Sequence, residues 1–352
     1  TAIYGDTITN SFTTDSNGVK TFSSSNTSSA TINSSNGSVS IVAVGNATMS
    51  INLAETNEYT SANDNYTLTI NPKTLTATAS ASDKVYDGTT TATTTLTFSG
   101  LIGSETLGQT VGSTFSDKNV DTGKTVTVNS ITLANGTNGG LASNYIISSG
   151  QTTTADITAK ALTVSGITAS DKTYDATTAA TLGTGAVVYG GLVSGDNLTG
   201  TYSGVFDNAN VGTGKTVTIT SSYGGADVNN YTITDQASTT ADVTTKSLTA
   251  TASAANKVYD ASNTATTTLT FTGLVGSETL VQTVASTFDT KNYGSSKTVT
   301  VNSITLADGS NGGLVANYSI SPGQTTTAHI SKKPLTVSSI SASNKTYDGN
   351  DT

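Results

Sequence analysis

The stretch Gly123-Lys124-Thr125-Val126-Thr127-Val128-Asn129-Ser130-Ile131-Thr132-Leu133 sets the reading of the whole chain. Over residues 124–128 apolar and polar side chains alternate strictly, the period of a half-buried strand whose successive side chains face opposite ways. The apolar residues then change phase, from even positions (Val126, Val128) to odd ones (Ile131, Leu133). A flat strand cannot change face in this way, so a bulge or corner is expected at Asn129-Ser130. The same text returns at residues 297–306, with its own switch at Asn302-Ser303, and its first half returns at residues 215–219.

Other markers keep the same step. Lys84-Val-Tyr86-Asp87-Gly88 is repeated as Lys172-Thr-Tyr174-Asp175-Ala176, Lys257-Val-Tyr259-Asp260-Ala261 and Lys345-Thr-Tyr347-Asp348-Gly349, with tyrosines 88, 85 and 88 residues apart. Asn144-Tyr145, Asn230-Tyr231 and Asn317-Tyr318 follow at 86 and 87. Three independent series with one period define a tandem array. Residues 75–147 and 248–320 are nearly identical and the repeat between them differs, so the modules alternate A, B, A over a longer period of 173 residues. The expected organisation is a β module at 1–71, repeat A at 72–159, repeat B at 160–245, a second A at 246–332, and the start of a further B-like copy at 333–352. The text stops inside that copy, which is expected of a piece of a longer protein. Leu75, Leu162, Leu248 and Leu335 each open a strand two residues after a junction lysine. No Gly/Ser tether intervenes, so the joints should be short and stiff.

Composition fits this reading. Hydrophobic residues make up 34% of 352, too few for one large core, and no segment carries a convincing helical period beyond one turn at residues 101–107. All 15 basic residues are Lys, against 24 acids, and the net charge of −9 argues against nucleic acid and anionic lipid as partners. Cysteine is absent, which removes disulfides and thiol chemistry, and no apolar run is long enough to insert in a membrane as a helix. The fold class expected is all-β: small sandwich-like modules in an elongated rod, each adding on the order of 30–40 Å. A secreted, extracellular location suits the Thr- and Ser-rich surface. Any leader peptide is expected to lie outside this sequence.

The recurring Lys-x-Tyr-Asp-Gly, Gly-Lys-Thr-Val-Thr-Val, Asn-Tyr and Ala-Asp-Ile-Thr-x-Lys-x-Leu-Thr-Val segments resemble YDG and MBG-type repeats. Residues 1–71 resemble, on fewer residues, a bacterial Ig-like (Big-type) module. Such repeats occur in large bacterial surface adhesins of the filamentous-haemagglutinin kind. The resemblance implies a non-catalytic stalk or fibre that presents a distal tip in adhesion or biofilm formation. It carries over no catalytic residue. The partners expected are neighbouring modules of the same longer chain; the alternatives are other copies of itself in a self-assembling extracellular filament, with edge strands or module ends pairing between chains, or a carbohydrate, host or matrix ligand. Because Ala176 and Ala261 stand where Gly88 and Gly349 do, a left-handed turn is not expected to be obligatory in the middle copies.

His329, the single histidine, occupies the slot of Asp156 and Asp242 and reads as a surface residue rather than a ligand or general base. The four glutamates are Glu55, Glu58, Glu105 and Glu278, with Asp196 at the matching place in repeat B. Glu105, Glu278 and Asp196 could serve as calcium ligands or as an acid/base pair, but no Asp-x-Asp-x-Asp-Gly loop accompanies them and turn-capping acids are the preferred reading; Glu55 and Glu58 flank a loop and read as solvated. No cofactor and no enzyme activity are expected. Tyr86, Tyr174, Tyr259 and Tyr347, with Tyr145, Tyr231 and Tyr318, could stack on sugars in a lectin-like array. Their recurrence in every module favours buried anchors beside the turns at Asp87, Asp175, Asp260 and Asp348. A Lys84–Asn144 isopeptide bond assisted by Asp87 has the required residue types but needs a buried lysine. Threonine strings lack the short period of an ice-binding ladder, and the Asn-x-Ser/Thr sequons are expected by chance in so Asn- and Thr-rich a chain.

Overall fold

A computed structural model describes residues 1–350. It is all-β, with many small sheets and no α-helix among the described residues. In repeat A the long strand Asp121–Asn135 lies between Leu107–Phe115 and Thr152–Thr158, both antiparallel to it. Two short strands complete this five-stranded sheet, Thr91–Ala92 on one edge and Lys84–Val85, parallel, on the other. A two-stranded sheet of Thr76–Ala81 and Thr94–Ser99 packs over it, giving each repeat two layers. The third repeat copies the arrangement with Gly294–Asp308 as its central strand. The second differs: Lys160–Ser165 pairs in parallel with Tyr231–Thr234 and joins a three-stranded sheet with Val188–Gly190.

The phase change is a bulge. Gly112 pairs with Ser130 and Ser113 with Val128, which leaves Asn129 as the extra residue, and Asn302 is skipped in the same way. The extra residue keeps Val126, Val128, Ile131 and Leu133 on one face. Asn129 Nδ2 donates to Thr114 Oγ1 at 2.9 Å, so the bulged side chain is bonded across the ladder. Residues 101–107, where at most one helical turn was expected, hold no helix. That segment is a loop closed by Glu105 N donating to Ile102 O. The helical turns are 3₁₀ and lie at Ala142–Asn144, Val228–Asn230 and Val315–Asn317.

The Lys-x-Tyr-Asp segment folds on itself. Lys84 Nζ meets Asp87 at 2.7 Å and the carbonyls of Thr89 and Thr91 at 2.8 and 3.1 Å, while lying 5.7 Å above the Phe115 ring. Asp87 Oδ1 accepts the Thr89 N–H, an Asx turn. Lys172/Asp175 and Lys257/Asp260 do the same over Phe206 and Phe288. The expectation for the Gly-to-Ala positions is corrected here. Ala176 and Ala261 hold φ of 61° and 66°, as left-handed as Gly88 at 79°. The ion pair and Asx turn fix the loop whatever residue follows the aspartate, so alanine bears the strain.

Residues 1–71 form a four-stranded sheet in the order Ala2–Ile3, Ala62–Asn71, Gly45–Leu53, Lys20–Ser24, with Ala30–Ile32 and Val39–Ile41 paired beside it. Asn65-Tyr66 does not match the later Asn-Tyr pairs: Tyr66 lies mid-strand, half exposed, with its hydroxyl on Asn10. Residues 332–350 hold no strand, and Tyr347 is 94% exposed. The matching strand Lys160–Ser165 pairs with a segment some 70 residues downstream, and no such segment follows Leu335 in this sequence.

Contacts divide the chain into two compact units, one of residues 1–163, 189–199 and 223–234, the other of 164–188, 200–222 and 235–352. The division falls inside the second repeat, so each of the three repeat junctions lies wholly within one unit.

Candidate functional site

The junctions gather the recurring residues. A strand crosses each with a break of one residue: Thr152–Thr158 passes into Lys160–Ser165, and Ser238–Thr244 into Lys246–Ser247. The tyrosine of Lys-x-Tyr-Asp in one repeat and the tyrosine of Asn-Tyr in the next then meet on one carboxylate.

At the first junction Glu105 takes Tyr4 on Oε1 and Tyr145 on Oε2, each at 2.5 Å, with the rings edge to face at 5.4 Å. At the third, Glu278 takes Tyr174 on Oε1 at 2.7 Å and Tyr318 on Oε2 at 2.5 Å, with the rings at 5.5 Å. At the second, Asp196 Oδ2 accepts Tyr86 and Tyr231 at 2.8 and 2.6 Å, Tyr86 also reaching Oδ1 at 3.1 Å, with the rings at 5.6 Å. Each Asn-Tyr hydroxyl also accepts a backbone N–H, from Ile102, Val193 or Val275. The asparagine beside it accepts the N–H of a valine in the preceding repeat, Val44, Val120 or Val211, at 2.9 Å in all three cases. Asn144, Asn230 and Asn317 are buried for this reason.

Electrostatics follow from this packing. Burial and then the adjoining carboxylate push Tyr4, Tyr145, Tyr174 and Tyr231 up to about 12. Burial opposes the charge on Asp196, but the hydrogen bonds from Tyr231, Tyr86 and Lys118 outweigh it and lower its carboxyl. Both shifts at the second junction favour a neutral Tyr231 phenol facing an ionised Asp196 at neutral pH.

Several expectations change. The acids at 105, 196 and 278 hold two tyrosine hydroxyls rather than capping turns. Tyr86 is 1% exposed and its hydroxyl bonds the following repeat instead of its own turn, and Tyr174 matches it; neither offers a face for sugar stacking. Tyr259 is half-buried against the third repeat's core. Lys84 and Asn144 do not meet: Lys84 is held by Asp87, Thr89 and Thr91, Asn144 by Val44, so the isopeptide reading fails on geometry. His329 Nδ1 accepts the Ser296 N–H, the role that Asp156 and Asp242 play for Gly123 and Gly214. Among the described residues no three acids or histidines are grouped to hold a metal ion. Sequence reasoning missed Tyr4, whose Tyr4-Gly5-Asp6 setting is a reordered form of the marker.

Fold and junctions together define a tandem β-repeat chain locked by tyrosine–carboxylate contacts. The YDG domain family matches residues 71–155, 158–241 and 244–328, well over half of the sequence. The chain belongs to the YDG domain family. Among curated proteins none matches it. Among solved structures, Drosophila N-cadherin EC1-3 is similar over 66% of this chain and 91% of its own, at 10% identity and a TM-score of 0.22. Domains 4–9 of the surface layer protein SbsC are similar over 82% of this chain and 57% of their own, at 13% identity and a TM-score of 0.16. Neither likeness is close enough to bear on fold or function.

Proposed function

We propose that the chain is a non-catalytic structural segment of a bacterial extracellular adhesin, a stalk whose repeats set the distance between an anchor and a distal binding tip. The observation that carries this reading is the junction itself. The residues repeated with the period of the chain are used to fasten one repeat to the next, with tyrosines, asparagines and acids bonded internally. A ligand-binding or catalytic array would instead present its recurring polar groups to solvent. Two tyrosines on one carboxylate, a strand crossing with a one-residue break, and a buried asparagine across the joint together restrict bending at each junction. Small-angle scattering of the 352-residue chain tests the proposal. A compact chain of this length would have a radius of gyration of ~20 Å. A stalk is expected to give a value well above that and a strongly asymmetric distance distribution, and a value near the compact figure would overturn it.

A further inference from the structure

The three junctions are not chemically equal, and the differences lie at matched positions. Counting back two residues from the valine that donates to the junction asparagine gives Val42, Lys118 and Ala209. The residue that precedes the 3₁₀ turn of the following repeat is Leu141, Asp227 and Leu314 at the same three junctions. The clamp acid is Glu105, Asp196 and Glu278. Lysine thus occurs with aspartate and a second aspartate, whereas an apolar residue occurs with glutamate and leucine. The third repeat, also of type A, carries Lys291 in the position of Lys118, so the lysine travels with the repeat type.

The geometry explains the pairing. A glutamate, one methylene longer, reaches between the two hydroxyls and gives one oxygen to each tyrosine. The shorter Asp196 carries its strongest tyrosine bonds on Oδ2, and Lys118 Nζ reaches Oδ1 at 3.1 Å. The same ammonium lies 3.2 Å from Asp227 Oδ1 and 5.8 Å from the centre of the Tyr86 ring. The Asp196 side chain is 3% exposed, so a change at this point leaves a buried charge poorly paired. A lysine at position 209 would meet a carboxylate whose two oxygens are already taken and a leucine where the second acid belongs.

We propose that residue 118 and its equivalents are specificity-determining: lysine fits a following repeat with the Asp/Asp pair, an apolar residue fits one with Glu/Leu, and this matching makes the stability of each joint depend on which repeat type follows. The inference rests on the junction geometry and is independent of what the array presents.

Hydrogen exchange on the full chain, read at Val120 and at Tyr231–Thr234, tests it by rescue. Lys118→Ala and Asp196→Glu are each expected to raise local opening roughly tenfold, the scale of coupling between contacting charged groups. The triple change Lys118→Ala/Asp196→Glu/Asp227→Leu, which recreates the chemistry of the other junctions, is expected to return opening to within about threefold of the unmodified chain. The mirror series is read at Val211 and Tyr318–Ser319. There Ala209→Lys raises opening, and adding Glu278→Asp with Leu314→Asp reverses it. Purely multiplicative effects in both series, or an Ala209→Lys chain unchanged at its junction, would overturn the proposal.

Discussion

Tyr174 shows how far one hydroxyl reaches. Its ring is buried in its own repeat, and its Oη donates to Glu278 of the next, 104 residues away. Tyr174→Phe keeps the ring and removes the bond, and is expected to lower stability by ~1.5–3 kcal/mol in chemical denaturation, the range for a hydrogen bond to a charged group. Its pH dependence has a defined sign. Burial and Glu278 raise the folded Tyr174 from 10.0 to about 12, so its contribution is complete below pH 10 and is lost as the pH rises from there towards 12. The Phe variant should therefore show a smaller loss over that alkaline window. Asp260 works in the other direction. Lys257 and the Ser262 N–H hold it at about 2 against an ordinary 3.8, so its share is present above pH 3.8 and disappears below it. Ala176, at φ 61°, carries a strain of ~1–2 kcal/mol that glycine lacks, offset by the ~0.4–1 kcal/mol that glycine's flexible unfolded state costs. Ala176→Gly is expected to stabilise the chain by up to ~1 kcal/mol, measured as a shift in denaturation midpoint. Gly88→Ala would place a Cβ 2.8 Å from Val193 Cγ1 and should act in the opposite sense.

Among the elements, the strand Asp121–Asn135 was the most readable. Its alternation announced the strand and its phase change located the bulge, because period-2 geometry ties side-chain direction to sequence position without reference to the rest of the fold. Deleting Asn129 is expected to turn Ile131 and Leu133 away from the face they share with Val126 and Val128. Both are half-buried, so the loss should be ~2–3 kcal/mol, with increased exchange along residues 130–135. The Lys-x-Tyr-Asp loop was legible as a turn for a similar reason: aspartate bonds its own backbone two residues on. The junction was not legible. Glu105 looked like any acid in a Gly-Ser-Glu turn, since its partners Tyr4 and Tyr145 are 101 and 40 residues distant and no local rule relates them. The left-handed alanines were misjudged because φ there is imposed by a lysine bond network that composition does not display.

For the molecule as a whole, the contacts place the cores at the junctions as much as within the repeats. One cluster joins Tyr174, Phe206, Val217 and Val243 of the second repeat to Leu248 and Tyr318 of the third. Neighbouring repeats that share a core should open together, as in other one-dimensional arrays. Tyr318→Ala is expected to raise amide exchange in Ser238–Thr244 as well as in Tyr318–Ser319, while Tyr145–Ile146 at the first junction keeps its protection. Loss confined to the mutated repeat would show that the modules are energetically separate. The sequence by itself determined the repeat, its period, the β class and the bulge. Those features depend on alternation and recurrence, which a linear text records. The tertiary structure alone decided that Tyr4, Tyr86 and Tyr174 close on the carboxylate of the following repeat, and that Lys118 joins them at Asp196. That pairing arises between groups roughly a repeat apart, which become neighbours when one strand runs on across the joint.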